Sequence, residues 1–227
     1  MERDVHQRRI SLAIDNYHSH FSFPMTDPRL AWLLCSQDLP FFVRNFVFIY
    51  DATTQDWVRF ELWPAQERTL QTMAHSRKLV VLKARQLGIS WLSLAYALWL
   101  MLFRSPATVL LFSLREAEAK ELLWRLHGMY DRLPPWMQAE RVMLANETRW
   151  VLSNGSRALA FSTKSGRSYT GTLALVDEAD FVPEMNQFLN AVKPTIDGGG
   201  QLFLVSTSDK SRPVSVFKNL FRPRWRG

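Results

Sequence analysis

The chain has 227 residues, 47% of them apolar, and its 28 Lys and Arg against 21 Asp and Glu leave a net charge of +7. That length and apolar content suit one packed domain with room for a small appendage, and they exclude a disordered chain. The basic balance favours a polyanionic partner such as nucleic acid, and the longest apolar run, residues 89–103, is shorter than the ~20 residues a membrane span needs, so a soluble protein is expected.

Residues 1–40 read as a polar, largely helical lead-in ending in Asp38-Leu39-Pro40, and residues 1–22 lack the apolar centre of a secretory signal. Cys35, the only cysteine, has no internal disulfide partner, which suits a reducing compartment; as a small hydrophobe it belongs in a core. Residues 46–50 and 57–62 read as strands around a polar turn, and Pro64 opens a helix running to residue 76. A short apolar strand at 79–83 leads through Gly88 into a helix ending near 103, which is apolar nearly all round and so buried against a sheet. Residues 108–113 are the next strand. An amphipathic helix over 115–133 follows, with Ala119, Leu122, Leu126, Met129 and Leu133 on one face and Pro134-Pro135 as its stop. Residues 150–152 and 157–161 flank Ser153-Asn154-Gly155-Ser156, a hairpin signal. Apolar strands at 173–176 and 202–205 enclose a helix near 184–192. Short continuous apolar strands alternating with helices predict an α/β fold with a mostly parallel central sheet flanked by helices.

Two segments carry chemistry. The first, Lys83-Ala84-Arg85-Gln86-Leu87-Gly88-Ile89-Ser90, lies between a strand and a helix. In a phosphate-binding loop the backbone N–H groups and helix N-terminus cradle phosphates, a lysine reaches the terminal phosphates and a hydroxyl binds magnesium. Gly88 and Ser90 hold the glycine and hydroxyl places, but Ile89 stands where the lysine is usual. Lys83 can fold back to supply that charge, with Arg85 assisting. By itself the segment also reads as a plain strand-turn-helix junction.

The second segment, Leu173-Ala174-Leu175-Val176-Asp177-Glu178, is a strand ending in two carboxylates, at the edge where open parallel sheets bind ligands. Asp177 would hold hydrated magnesium and Glu178 would polarise the attacking water. Taken alone, such a pair is also a solvated turn. Gln66, just after Phe60 and Pro64, can read adenine through its amide, against the plainer reading of a solvated helix residue. Ser206-Thr207-Ser208 follows the last strand, where a hydroxyl can sense the γ-phosphate or simply end the strand.

Taken in order, Phe60, Pro64 and Gln66, then residues 83–90, Asn154-Gly155-Ser156, Asp177-Glu178 and Ser206-Thr207-Ser208 resemble the ATPase half of phage terminase large subunits. A displaced loop lysine is a known variation in that family, and the resemblance spans residues 46–210. It implies a P-loop NTPase fold of the ASCE, RecA-like kind. Gln66 would contact adenine, while Lys83, Ala84, Arg85, Gln86, Leu87, Gly88, Ile89 and Ser90 cradle the phosphates of ATP. Ser90 and Asp177 would hold Mg2+, Glu178 would be the catalytic carboxylate assisted by Lys83 and Arg85, and Thr207 would belong to the coupling motif. The family further implies a homo-oligomeric ring on a viral portal protein, working with a terminase small subunit in the host cell cytoplasm to drive double-stranded DNA into a procapsid. In such rings a neighbour's arginine completes the site, and Arg167, in Ser165-Gly166-Arg167-Ser168, is the candidate, which reads equally as a surface arginine facing DNA or solvent.

The resulting division is a helical lead-in over 1–45, the ATPase domain over 46–212, and a basic tail or linker over 213–227. Terminase large subunits usually carry a nuclease domain as well, whose chemistry needs a carboxylate cluster. No such cluster accompanies the ATPase residues here, so DNA cleavage is not expected. Two other readings stay open. Asp177-Glu178-Ala179-Asp180 echoes a two-lobed helicase, although that family keeps the lysine that Ile89 replaces. The same replacement also suits an inactive nucleotide-binding assembly subunit.

Overall fold

The computed structural model describes residues 27–138, 140–165 and 169–222. Two aspartates start its first helices. Asp27 accepts the Arg29 N–H at 2.9 Å at the head of α1 (Pro28–Gln37), and Asp38 accepts the Phe41 N–H at 2.9 Å at the head of α2 (Leu39–Phe46). Each helix has a proline in its first turn, where the missing N–H leaves no bond unmade. The helix over Leu39–Phe46 falls within the helical lead-in expected over 1–45 but starts anew around Pro40, where the first stretch is expected to end, and it buries Phe41, Phe42 and Val43. The expected two-strand hairpin follows as β1 (Phe48–Asp51) and β2 (Asp56–Arg59), and α3 (Pro64–His75) begins at its proline.

One sheet organises the rest. It comprises β3 (Lys78–Leu82), β4 (Thr108–Ser113), β5 (Val142–Ala145), β6 (Arg149–Leu152), β7 (Arg157–Ser162), β8 (Leu173–Asp177) and β9 (Gln201–Ser206). Their order is β3-β9-β8-β4-β7-β6-β5, parallel from β3 through β7 and antiparallel across β6 and β5. Residues 142–145 were not anticipated as a strand: all four are exposed, so no alternation of apolar and polar residues marks them.

Strand residues divide by parity between two cores. Val109 and Leu111 of β4, Leu173 and Leu175 of β8, and Phe203 and Val205 of β9 face one. Leu110 and Phe112, Ala174 and Val176, and Leu202 and Leu204 face the other. Side chains alternate across a strand, so a strand covered on both faces must be apolar throughout. The first core is closed by α1 to α3, α4 (Ile89–Phe103) and α5 (Glu116–Tyr130). The second is closed by α6 (Met185–Asp197) and α7 (Val216–Phe221). Although α4 is apolar nearly all round, it has 15 residues, and no helix among the described residues is long and apolar enough to cross a membrane.

Two junctions fix the outer elements. Asn154 Nδ2 and Ser156 Oγ both donate to the Met101 carbonyl at 2.9 Å, around Gly155 at φ +82°. The Asn-Gly-Ser segment thus ties the β6–β7 hairpin to the C-terminal end of α4. At the second junction Trp57 packs against Gly128, so that a Cβ there would lie 2.3 Å from the nearest indole carbon, and Arg132 stacks on the same ring at 3.9 Å. Gly128→Ala gains helix propensity but must displace this ring, and such overpacking costs about 1–3 kcal/mol. A lower urea midpoint is therefore expected, with an unchanged or raised midpoint showing that Trp57 moves freely.

Candidate active site

Parallel strands bring their C-terminal ends to one edge, and this strand order sets the ends of β3, β9 and β8 side by side there. The Lys83 N–H donates to the Ser206 carbonyl at 2.9 Å, carrying the β3–β9 ladder one residue beyond the strand. The chain then turns sharply. Gln86 at φ +62° and Gly88 at φ +68° both adopt left-handed backbone, and α4 starts directly after them. This winding, common where backbone N–H groups line an anion-binding concavity, precedes a helix N-terminus, whose first N–H groups have no partner within the helix.

Gln66 is buried behind this loop rather than solvated. Its Nε2 donates to the Leu87 carbonyl at 2.9 Å, and its Oε1 accepts the Trp63 N–H at 2.9 Å. A Cβ at position 88 would lie 2.9 Å from Gln66 Nε2, so glycine there serves close approach as well as its positive φ. Ile89 is buried in the first core, which explains why an apolar residue is accepted at that place in the loop. Ala84, Arg85, Gln86 and Leu87 are exposed, and Arg85 has no ion-pair partner among the described residues.

The two carboxylates are engaged differently. Ser90 Oγ lies 3.1 and 3.0 Å from the two Asp177 oxygens, bridging 87 positions of sequence. Burial pushes the Asp177 carboxyl above the ordinary carboxylate range, with Lys83 and Ser90 pulling it back and the neighbouring Glu178 adding to the rise. Glu178 itself sits at φ +50°, a left-handed backbone that costs a side-chain-bearing residue on the order of 1–3 kcal/mol. Its Oε1 pairs with Lys83 Nζ at 3.3 Å. Its Oε2 accepts the Thr207 N–H at 3.3 Å, Thr207 Oγ1 at 3.1 Å and Ser206 Oγ at 3.4 Å. Lys83, Ser90, Asp177, Glu178 and Thr207 thus converge at one strand-end cluster, with Gln66 bonded behind it. Arg167 lies outside the described residues.

One participant was missed. Asp180, on the short 3-10 turn Ala179–Phe181, is 1% exposed. Its Oδ2 accepts the Asp209 N–H at 2.7 Å and pairs with Lys218 Nζ at 3.4 Å, while Ser215 Oγ donates to its Oδ1. Its carbonyl accepts Arg212 Nη2 at 2.6 Å, and its N–H donates to Ser206 Oγ at 2.9 Å. The only signal in the sequence was a third acid after Asp177-Glu178, which had suggested a helicase instead. Bonds from Ser211 and Arg212 hold the Asp209 carboxyl down to about 2. A depressed carboxylate adds stability that is full above its unfolded value of about 4 and lost as pH falls toward 2. Thermal unfolding between those limits should therefore show Asp209→Asn losing less with acid than wild type. Parallel profiles would mean that the Asp209 bonds do not form.

The family described as "Terminase large subunit, T4likevirus-type, N-terminal" matches residues 80–225. The large terminase ATPase domain of Thermus phage P74-26 superposes with a TM-score of 0.62 at 18% identity, covering 74% of this chain and 72% of that one. The large terminase of bacteriophage HK97 gives 0.63 at 15% identity over 75% of this chain and 37% of that one. A large terminase from a thermophilic bacteriophage, solved with ATP-γ-S, gives 0.51 at 13% identity over 64% and 38%. The chain therefore spans well under half the length of the last two proteins, and at these identities the likeness shows the fold.

Proposed function

We propose that this chain, which belongs to the terminase large-subunit family through its N-terminal, T4likevirus-type region, hydrolyses ATP at the ends of β3, β8 and β9 to drive double-stranded DNA into a viral procapsid. The observation that carries the reading is the meeting of Ser90 with Asp177 beside the Lys83–Glu178 ion pair. A hydroxyl at the head of the helix after the loop and a carboxylate at the end of another parallel strand are the pair that P-loop enzymes set around a nucleotide-bound cation.

The residues fit Mg2+. The half-buried Asp177 carboxyl is held above its ordinary range, and its side-chain hydrogen bonds among the described residues come from a neutral hydroxyl, so a cation would offset its desolvation. Among the described residues no three His, Cys, Asp or Glu side chains converge as ligands, so phosphate oxygens and water would complete the shell around Ser90 and Asp177. Mg2+ bound there neutralises charge on the transferring phosphoryl group.

The chain's own residues supply positioning. N–H groups of residues 84–88 and the N-terminus of α4 hold the phosphates, with Arg85 free to close over them. Gln66, already bonded to the Leu87 carbonyl, would set the loop beside adenine. Lys83, turning from Glu178 Oε1 to a phosphate oxygen, frees the carboxylate to orient water and accept its proton. Since Thr207 grips the other oxygen of the same carboxylate, release of Glu178 changes the end of β9, which gives the coupling motif its mechanical meaning. Portal protein, small subunit, a ring of copies and the host cytoplasm complete the proposal. DNA would be held through its backbone phosphates, as the net charge of +7 favours.

Magnesium-dependent ATP turnover with and without double-stranded DNA tests this. Wild type should turn over ATP, and Lys83→Ala should lose both turnover and affinity, because it removes the loop's displaced lysine. Nucleotide binding without turnover under either condition would favour the assembly-subunit reading. Absence of binding would overturn the proposal.

A further inference from the structure

A cavity of about 370 Å³ opens between α5 and the end of β8, with Ser113, Glu118, Glu121 and Arg125 on one wall and Asp177 and Glu178 on the other. Its carboxylates are already committed. Glu118 accepts Ser113 Oγ at 2.9 Å and the Arg115 N–H at 3.2 Å, Asp177 bonds Ser90, and Glu178 bonds Lys83 and Thr207. Glu121 accepts Arg125 Nε at 2.9 Å. Arg125 is the exception to this saturation. Its guanidinium lies 5.1 Å from the centre of the Trp91 ring, one residue beyond Ser90, yet its two Nη groups donate to no partner among the described residues.

A guanidinium anchored by its Nε edge and one face keeps a rigid fork of donors to offer, and phosphate oxygens are the acceptors that such a fork fits best. We infer that Arg125 binds the terminal phosphate of the nucleotide within its own subunit, a same-chain counterpart to any arginine supplied by a neighbour. The inference rests on the proposed ATP site. It adds a residue from α5 to a site otherwise built from β3, β8, β9 and their loops. Its donors would act where negative charge accumulates as the phosphoryl group transfers, the place at which a fixed cation lowers the barrier most. Lysine cannot replace it, because an ammonium lacks both the stacking face and the second donor arm.

The test compares affinities of wild type, Arg125→Ala and Arg125→Lys for Mg-ATP-γ-S and Mg-ADP by displacement of a fluorescent nucleotide. Wild type should prefer the triphosphate. Both variants should lose at least tenfold in ATP-γ-S affinity while keeping ADP affinity within about twofold, since ADP lacks the phosphate that Arg125 meets. Retained ADP binding doubles as the control for folding. Equal losses for both nucleotides in both variants would make Arg125 a structural residue and overturn the inference, as would no change for either. A second arm mixes Arg125→Ala with Glu178→Gln subunits and follows ATP turnover. Arg125 acting within its own chain leaves the mixture inactive, whereas recovered turnover would mean that neighbours exchange this arginine and would overturn the same-subunit assignment. Wild type binding neither nucleotide would bring down the ATP site itself, an outcome distinct from a variant-specific loss.

Discussion

Glu178→Gln should abolish multiple turnover of ATP while leaving nucleotide binding intact or tighter. Glutamine matches glutamate in shape, so its Oε1 can still accept from Thr207 at the end of β9, where the native carboxylate accepts at 3.1 and 3.3 Å. What disappears is the charge. In the proposed role of Glu178 water would then have no base to take its proton, and loss of a positioned general base lowers a rate by about 10²–10⁴. Binding moves the other way because Lys83 Nζ, paired with the native carboxylate at 3.3 Å, is released from an ionic partner and meets phosphate more readily. The side chain of Lys83 is only 9% exposed, so that release is not simply made good by water. Stopped-time hydrolysis and equilibrium binding on the same preparation read both effects. Turnover at the wild-type rate would place the base elsewhere, and joint loss of binding and turnover would make Glu178 a scaffold for the loop.

Asp180→Ala should cost most in stability. The Asp180 side chain is fully buried, and the Lys218 ammonium paired with it is 14% exposed. Truncation removes the acceptor of the Asp209 N–H, the Ser215 hydroxyl and the Lys218 ammonium together. Breaking a buried pair by deleting one partner costs about 3–5 kcal/mol, since the other charge stays desolvated. The Asp209 and Arg212 carbonyls also accept from Lys218 Nζ, so the lower end of that range applies. At the usual scaling for a domain of this size, each kcal/mol lowers the melting temperature by about 2–4 °C. Equilibrium denaturation should show the loss, and hydrogen exchange should show it concentrated over residues 209–221. A change below about 0.5 kcal/mol, the range of ordinary surface substitutions, would mean that the network is not closed. There is a functional corollary. Asp180 braces the segment just beyond Thr207, so the variant should also loosen the grip of Thr207 on Glu178 and weaken the link between hydrolysis and movement of β9.

What the amino-acid order determined by itself is local. Continuous apolar runs at 108–113 and 173–176 are legible as buried strands because strands covered on both faces cannot alternate, and all three of β4, β8 and β9 divide their residues between two cores. Gly88 marked the turn from β3 into α4, Asn154-Gly155 marked its hairpin, and Asp177-Glu178 marked the end of a strand, since each depends on neighbouring residues only. The separate start of the helix Leu39–Phe46 and the edge strand Val142–Ala145 were not legible, the one because its apolar run suits either conformation and the other because its residues face solvent throughout.

Tertiary structure alone decided the rest. Insertion of β9 between β3 and β8 brings Lys83 to Glu178 across 95 positions and Thr207 to the same carboxylate across 29, and no local pattern encodes a strand order. It also turned Gln66 from a solvated helix residue into a buried strut of the loop, and Ile89 from an oddity in a motif into part of the core. Asp180 and Arg125 escaped the sequence reading for the same reason. An acid or a base declares its role only through the groups that surround it, and those groups come from distant segments of the chain.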